Sequence, residues 1–166
     1  MTKIHGEKVC LVLCNRKLWH EIWMKYTPDP MADLNEYEYD FEKTEKAYDA
    51  RMADATRRYF TILHNECAIG MIYLKHMNID ERITSFGVGL SNDSDKGKGL
   101  GTEAICLLIE YAFEEMGFET IVADVVLRNT RSQHVLLKLG FVYVREDDEF
   151  KYYQLLPQNR VPVKTG

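Results

Sequence analysis

No stretch of the 166 residues stays apolar for long enough to cross a bilayer, so no spanning helix is expected. Residues 1–6 lack the charged-then-apolar order of a secretory leader, which makes the cytoplasm the expected compartment. Cysteine is scarce. Cys10, Cys14, Cys67 and Cys106 form no C-x-x-C pair, which speaks against a zinc site or a disulfide framework and makes reduced core residues of them by expectation. Positive charge is also in deficit: 21 Lys and Arg against 26 Asp and Glu leave a formal charge of -5. Nucleic-acid phosphates are poor partners for such a chain, because their binding rests on a cationic surface that releases counterions. Neither a repeat, a low-complexity tract nor a linker interrupts it, so residues 1–156 read as one domain and 157–166 as a frayed tail.

What is present has the periodicity of a mixed α/β domain. Residues 8–14 set Val9, Leu11 and Leu13 on one face and Cys10, Val12 and Cys14 on the other, the period of a strand. Asn15 follows as an N-cap for a helix with Leu18, Trp19, Ile22, Trp23 and Tyr26 on one stripe, stopped by Thr27-Pro28-Asp29-Pro30. An acidic, aromatic stretch over 33–49 runs into a second helix from Phe41, with Phe41, Tyr48, Met52 and Ala55 as its apolar stripe. Residues 57–63, 68–74 and 83–90 read as strands. Their connectors, His64-Asn65-Glu66 and Asn78-Ile79-Asp80, are short enough to require antiparallel neighbours.

Ala104, Leu107, Leu108, Tyr111 and Ala112 then recur at helical spacing up to Gly117, and residues 119–127 form an apolar, β-branched strand of the kind buried on both faces. That order implies one parallel crossover. A short helix over 131–139 ends in Gly140 as a left-handed cap, and 141–144 with 150–155 close the chain as a hairpin. The expected fold class is α/β of the mixed α+β kind: six or seven mostly antiparallel strands, one parallel crossover and about four helices.

One segment carries chemistry: residues 91–104, SNDSDKGKGLGTEA. Glycines ahead of a helix bare consecutive backbone N–H groups, and the helix start adds partial positive charge, which together make an anion site. A Walker A loop is ruled out, since Asn92 stands at its first glycine and Gly99 follows Lys98. Residues 99–104 do satisfy the relaxed dinucleotide pattern G-x-G-x-x-A, with Asp124 available as the ribose-binding acid, although antiparallel strands and a polar run precede it. A dinucleotide-binding protein therefore remains an alternative at this stage.

Lys96-Gly97-Lys98-Gly99-Leu100-Gly101 resembles the pyrophosphate loop of the GNAT superfamily of acyl-CoA-dependent N-acyltransferases, [QR]-x-x-G-x-[GA] opening a long helix. A second block agrees. Asn129-Thr130-Arg131-Ser132 followed by Leu136-Leu137-Lys138-Leu139-Gly140-Phe141 is similar to that family's N-x-x-S and L-x-K-x-G-F. The pattern most resembles the branch with ribosomal-protein N-terminal alanine acetyltransferases and spermidine acetyltransferases.

The resemblance implies acetyl-CoA as acyl donor, no metal, and direct attack by a primary amine, either a peptide N-terminus or a small polyamine-like or amino compound. It assigns cofactor binding to Leu90, Ser91, Lys96, Gly97, Lys98, Gly99, Leu100, Gly101 and Thr102, with Asn129 and Ser132 beside the pantetheine. Ser132 becomes the proton donor to the thiolate, Asn129 orients the pantetheine or a water, and Asp124 is a candidate base together with Asp148 and Glu149. Three positions depart from the pattern. Lys96 stands for glutamine or arginine, no tyrosine lies near Leu136, and Ser85, Phe86 and Gly87 leave no carboxylate ahead of the loop.

Those gaps keep open a second class, a catalytically silent acyl-CoA-binding module, and for Ser132 a second role as helix N-cap. His64 and His134 read as structural, and Trp19 and Trp23 as core. Acceptor walls are expected around residues 19–48 and 143–152, where acidic and aromatic side chains favour a cation. The resemblance also allows a homodimer, and it calls for neither a nucleic acid nor a membrane partner.

Overall fold

The computed structural model describes residues 3–30, 35–92 and 97–161, so Lys96 lies outside the described residues. Alternating segments assemble one eight-stranded sheet in the order β1-β2-β3-β4-β5-β6-β8-β7. Its strands are β1 (Lys3–His5), β2 (Cys10–Leu13), β3 (Arg58–His64), β4 (Cys67–Asn78), β5 (Ile83–Leu90), β6 (Thr120–Val126), β7 (Val142–Glu146) and β8 (Phe150–Leu155). Every neighbouring pair is antiparallel except β5 and β6. The helices are α1 (Arg16–Lys25), α2 (Phe41–Ala53), α3 (Leu100–Glu110) and α4 (Thr130–Lys138); a π-helical turn over Tyr111–Glu115 continues α3. This is the expected mixed α/β architecture with its single parallel crossover. The strand beyond the expected number is β1, too short to carry a period of its own.

Alternation along the strands builds two apolar layers. Phe60, Ile62, Ile72, Leu74, Ile121 and Leu155 are buried with residues of α3 and α4 on one face. Trp19, Ile22, Tyr59, Ala68 and Met71 form a smaller cluster on the other face, under α1 and α2. Asn15 caps α1 as expected, its Oδ1 accepting the Leu18 N–H at 2.9 Å. Gly140 has φ 100 at the end of α4, as a left-handed cap requires.

Three local expectations are corrected. In α2 the buried residue is Thr44, flanked by half-buried Ala47 and Tyr48, while Phe41 and Met52 are exposed and Ala55 lies past the helix end. The helix docks through a narrow strip on α1, where the Trp19 indole N–H donates to the Thr44 carbonyl at 3.1 Å. Strand β6 is not covered on both faces. Ile121, Ala123 and Val125 are buried, while the residues between them on the other face are only half-buried. All four cysteines are free as expected, but none is fully buried, and Cys67 is exposed. Partial burial still pushes the Cys14 and Cys106 thiols above their ordinary range.

Candidate active site

The parallel pair sets up the site by coming apart. Strand β5 pairs with β6 only from Ile83 opposite Thr120 to Ser85 opposite Val122, yet β5 runs on to Leu90 and β6 to Val126. On its other side β5 stays in register with β4 up to Leu90 opposite Gly70, and the Ser91 N–H donates to the Ile69 carbonyl at 2.7 Å. Ladder alternation then turns the N–H and C=O groups of Phe86, Val88 and Leu90 toward the side that β6 has left. An extended ligand can pair there. Helix α3 follows the carboxyl end of β5 and α4 that of β6, so both helix starts flank the opening, as at the switch point of a parallel sheet.

At the start of α3, Gly99 is the N-cap with φ 79 and ψ 5, and no side chain caps the helix. The first bond of the helix is Glu103 N–H to the Gly99 carbonyl at 3.0 Å, so the N–H groups of Leu100, Gly101 and Thr102 precede any helical partner. Gly97 also has a left-handed φ of 77, a conformation costing a side-chain-bearing residue about 1–2 kcal/mol. Leu100 is buried and fixes the turn from below; Gly97, Lys98 and Gly99 are exposed. The loop therefore fits a diphosphate, with bared amides and open space at Gly97 and Gly101.

A second cation arrives from far away in sequence. The buried carboxylate of Glu103 accepts the backbone N–H groups of Lys8 and Val9 on one oxygen, at 2.8 and 2.7 Å, strapping the β1–β2 turn onto α3. The Lys8 ammonium thereby comes within 3.8 Å of where a Cβ on Gly99 would sit. Nothing local in the sequence marks Lys8.

At the start of α4 the cap is Asn129, not Ser132. Asn129 Oδ1 accepts the Ser132 N–H at 3.2 Å, placing Ser132 in the first turn, half-buried, its hydroxyl without a hydrogen-bond partner among the described residues. Asp124 is not isolated among apolar neighbours: the Lys75 ammonium pairs with it at 3.1 Å. Asp148 and Glu149 are exposed in the β7–β8 turn, outside the lining of the cleft on the α1/α2 face. Leu90 is half-buried; Ser91 is buried, and its carbonyl accepts the Thr27 N–H at 2.8 Å, so both of its backbone groups serve the fold. His64 bonds the Lys8 carbonyl at 2.8 Å, a structural contact, and His134 is exposed on α4.

A cleft of about 430 Å³ opens on the α1/α2 face, and Val88, Gly89 and Ser91 in its lining connect it to the free end of β5. Trp19, Trp23, Tyr26, Tyr59 and Tyr73 supply aromatic walls, while the 143–152 hairpin contributes none. Trp19 is core, as expected; Trp23 is a half-buried wall residue. Tyr73 reaches across β5, since a Cβ on Gly87 would collide with its hydroxyl, and its ring stacks on Tyr59 with centroids 4.5 Å apart. Burial holds its phenol above the ordinary range against the pull of Arg57 and Arg51, so it stays protonated at neutral pH. Small residues on β5 explain the missing strand carboxylate in physical terms: Ser85 and Gly87 leave room for Lys75 and Tyr73 to lie across the strand.

Residues 12–142 match the family model for the acetyltransferase (GNAT) domain. The chain belongs to the GNAT acetyltransferase family. It is similar to the spermidine N(1)-acetyltransferase of Escherichia coli (strain K12), 28% identical over 101 residues that cover 61% of this chain and 54% of the relative. It is also similar to the Bacillus subtilis (strain 168) protein named "Probable N-acetyltransferase YjcK", 49% identical over 45 residues, 27% of this chain and 25% of that one. The chain thus matches about a quarter to about half of the length of these curated relatives. Among solved structures, a chimera of the spermidine N-acetyltransferase SpeG from Vibrio cholerae and hSSAT shares the fold, with TM-score 0.77 at 19% identity over 90% of this chain and 96% of that one. Family membership and the partial similarity to a spermidine acetyltransferase both place the chain among acetyltransferases. The dinucleotide reading loses its footing: the chain matches an acetyltransferase domain, and five strands paired antiparallel precede the loop. Among the described residues, no group of three or more His, Cys, Asp or Glu side chains could hold a metal.

Proposed function

We propose that this enzyme uses acetyl-CoA as acyl donor and acetylates a primary amine, a peptide N-terminus or a small polyamine-like or amino compound, by direct attack. The observation that carries the reading is the β5–β6 opening, with the bared start of α3 at its rim and the aromatic cleft entering along the same strand. Acetyl-CoA, when bound, supplies an acyl group activated as a thioester. The amides of Gly97 to Thr102, with Lys8, Lys98 and Lys96, hold its diphosphate, and the backbone of Val88 and Leu90 pairs with its arm beside Ser91. An N–H of that stretch donates to negative charge developing on the acyl oxygen.

Asp124, oriented by Lys75, accepts the proton of the entering ammonium through water, and the Ser132 hydroxyl returns one to the departing sulfur. Asn129 acts by holding Ser132 in the first turn of α4. The Tyr73 hydroxyl, neutral at physiological pH, is available as a hydrogen-bond donor in the cleft wall. Residues 1–156 work as one acyltransferase unit in the cytoplasm; no described helix is long and apolar enough to cross a membrane. The sheet edge at β7, with Val142, Tyr143 and Val144 exposed, is the surface for a second copy of the chain.

Thiol release from acetyl-CoA, measured across a panel of amines including spermidine, tests the reading. Amine-dependent release supports it; tight CoA binding without turnover on any amine would overturn it.

A further inference from the structure

The charged side chains lining the cleft are Arg51 and Arg57, with no Asp or Glu among the lining residues. Arg57 is held rigidly. Its Nε pairs with Asp54 at 3.3 Å and its Nη1 donates to the Tyr59 hydroxyl at 2.9 Å, while Asp54 is itself fixed by the Thr56 N–H and hydroxyl. Arg51, in the last turn of α2, has neither an ion pair nor a side-chain hydrogen bond among the described residues. Among the described residues, the Trp23 indole N–H, a donor only, is buried in the same wall with no acceptor, and the Ser91 hydroxyl there has no partner either. Two guanidiniums and an unspent indole N–H make a wall rich in donors. A second ammonium on the acceptor would meet like charge there, whereas an anion would meet partners.

We infer that the acceptor amine carries an anionic group, a carboxylate or a phosphate, bound by Arg51 and Arg57 beneath the C-terminal end of α2 while the amine reaches β5 at Gly87 to Gly89. The inference rests on the acyl-transfer reading above and narrows its acceptor. It also sets this chain apart from relatives whose names specify spermidine. Asp54 offsets part of the Arg57 charge, so Arg51 is the decisive residue for the sign of the pocket.

Three matched amine pairs test it: para-aminomethylbenzoate against benzylamine, phenylalanine against phenethylamine, and phosphoethanolamine against ethylamine, with spermidine as cationic probe. Each pair differs by the anion alone. Thiol release from acetyl-CoA gives kcat/KM for every member. The expected result is an anionic member favoured over its twin by about 10- to 100-fold, the size of one charge-assisted contact, with the better pair telling carboxylate from phosphate. In Arg51→Glu that ratio falls to about one or below, and in Arg51→Lys it is largely kept. Arg51 is exposed on the helix, so the variants are expected to fold, which circular dichroism checks. Spermidine or the uncharged twins outrunning every anionic member, or an unchanged ratio in Arg51→Glu, overturns the inference while leaving acetyl transfer intact. No turnover on any amine brings down both.

Discussion

Replacing Glu103 by Ala removes the carboxylate that straps the β1–β2 turn to α3. Both backbone N–H groups it accepts, from Lys8 at 2.8 Å and Val9 at 2.7 Å, bond to one oxygen of a residue that is 3% exposed. Hydrogen bonds to a charged group contribute about 1.5–3 kcal/mol each, or about 3–6 kcal/mol gross for the two. The Lys8 side is only partly buried and water can reach it, and Ala relieves the cost of burying the carboxylate, so a net loss of about 2–4 kcal/mol follows. For a chain of this size that is a fall in Tm of about 5–15 °C by thermal denaturation. Glu103→Gln keeps a carbonyl oxygen for both donors, losing the charge assistance and about 1 kcal/mol. The loss extends to function, because the strap brings the Lys8 ammonium beside Gly99, so Glu103→Ala also weakens CoA binding. A Tm for Glu103→Ala within about 1 °C of wild type would refute the strap.

The two residues at the start of α4 separate by role: Ser132→Ala lowers kcat more than it raises KM, whereas Asn129→Ala costs about 0.5–2 kcal/mol in urea titration through loss of the cap. At the β7–β8 turn, the N–H groups of Phe150 and Glu149 and the Tyr152 hydroxyl hold the Asp147 carboxyl below its ordinary 3.8. A depressed folded-state value means the stabilisation is full above 3.8 and is lost as pH falls through that lower value. Thermal denaturation from about pH 5 to about pH 2 shows this loss in the wild type, and Asp147→Asn makes the curve shallower there.

Local signals were legible because their physics is local. The cap at Asn15, the bounds of β5, the left-handed Gly140 and the glycine run before α3 each follow from a few neighbouring residues. The parallel crossover followed from order alone. What escaped was decided by partners distant along the chain. The stripe chosen on α2 failed because α1 takes only the Thr44 side, and periodicity does not say how wide a docking surface will be. Asp124 looked costly until Lys75, two strands away, reached it. The acidic stretch over 33–49 drew attention to a cation, yet the charges that line the cleft are Arg51 and Arg57, just after it. Tyr73 had a signal that could have found it: Met71, Tyr73 and Lys75 alternate on β4 opposite Gly89, Gly87 and Ser85, a row of side chains facing a row of small residues.

With the start of α3 as the proposed site of the acyl-CoA diphosphate, Gly99→Asp is the substitution whose effect on CoA binding decides the assignment. Asp tolerates the left-handed φ of 79 better than most residues, so the change chiefly sets a carboxylate against the diphosphate. At about 4 Å and an effective dielectric near 20 that repulsion is about 4 kcal/mol before screening, ample for a tenfold or greater loss. Titration calorimetry with CoA should show binding to the wild type and at least about tenfold weaker binding to a folded Gly99→Asp. Equal affinity in the two proteins, or displacement of CoA by NAD from the wild type, would contradict the account.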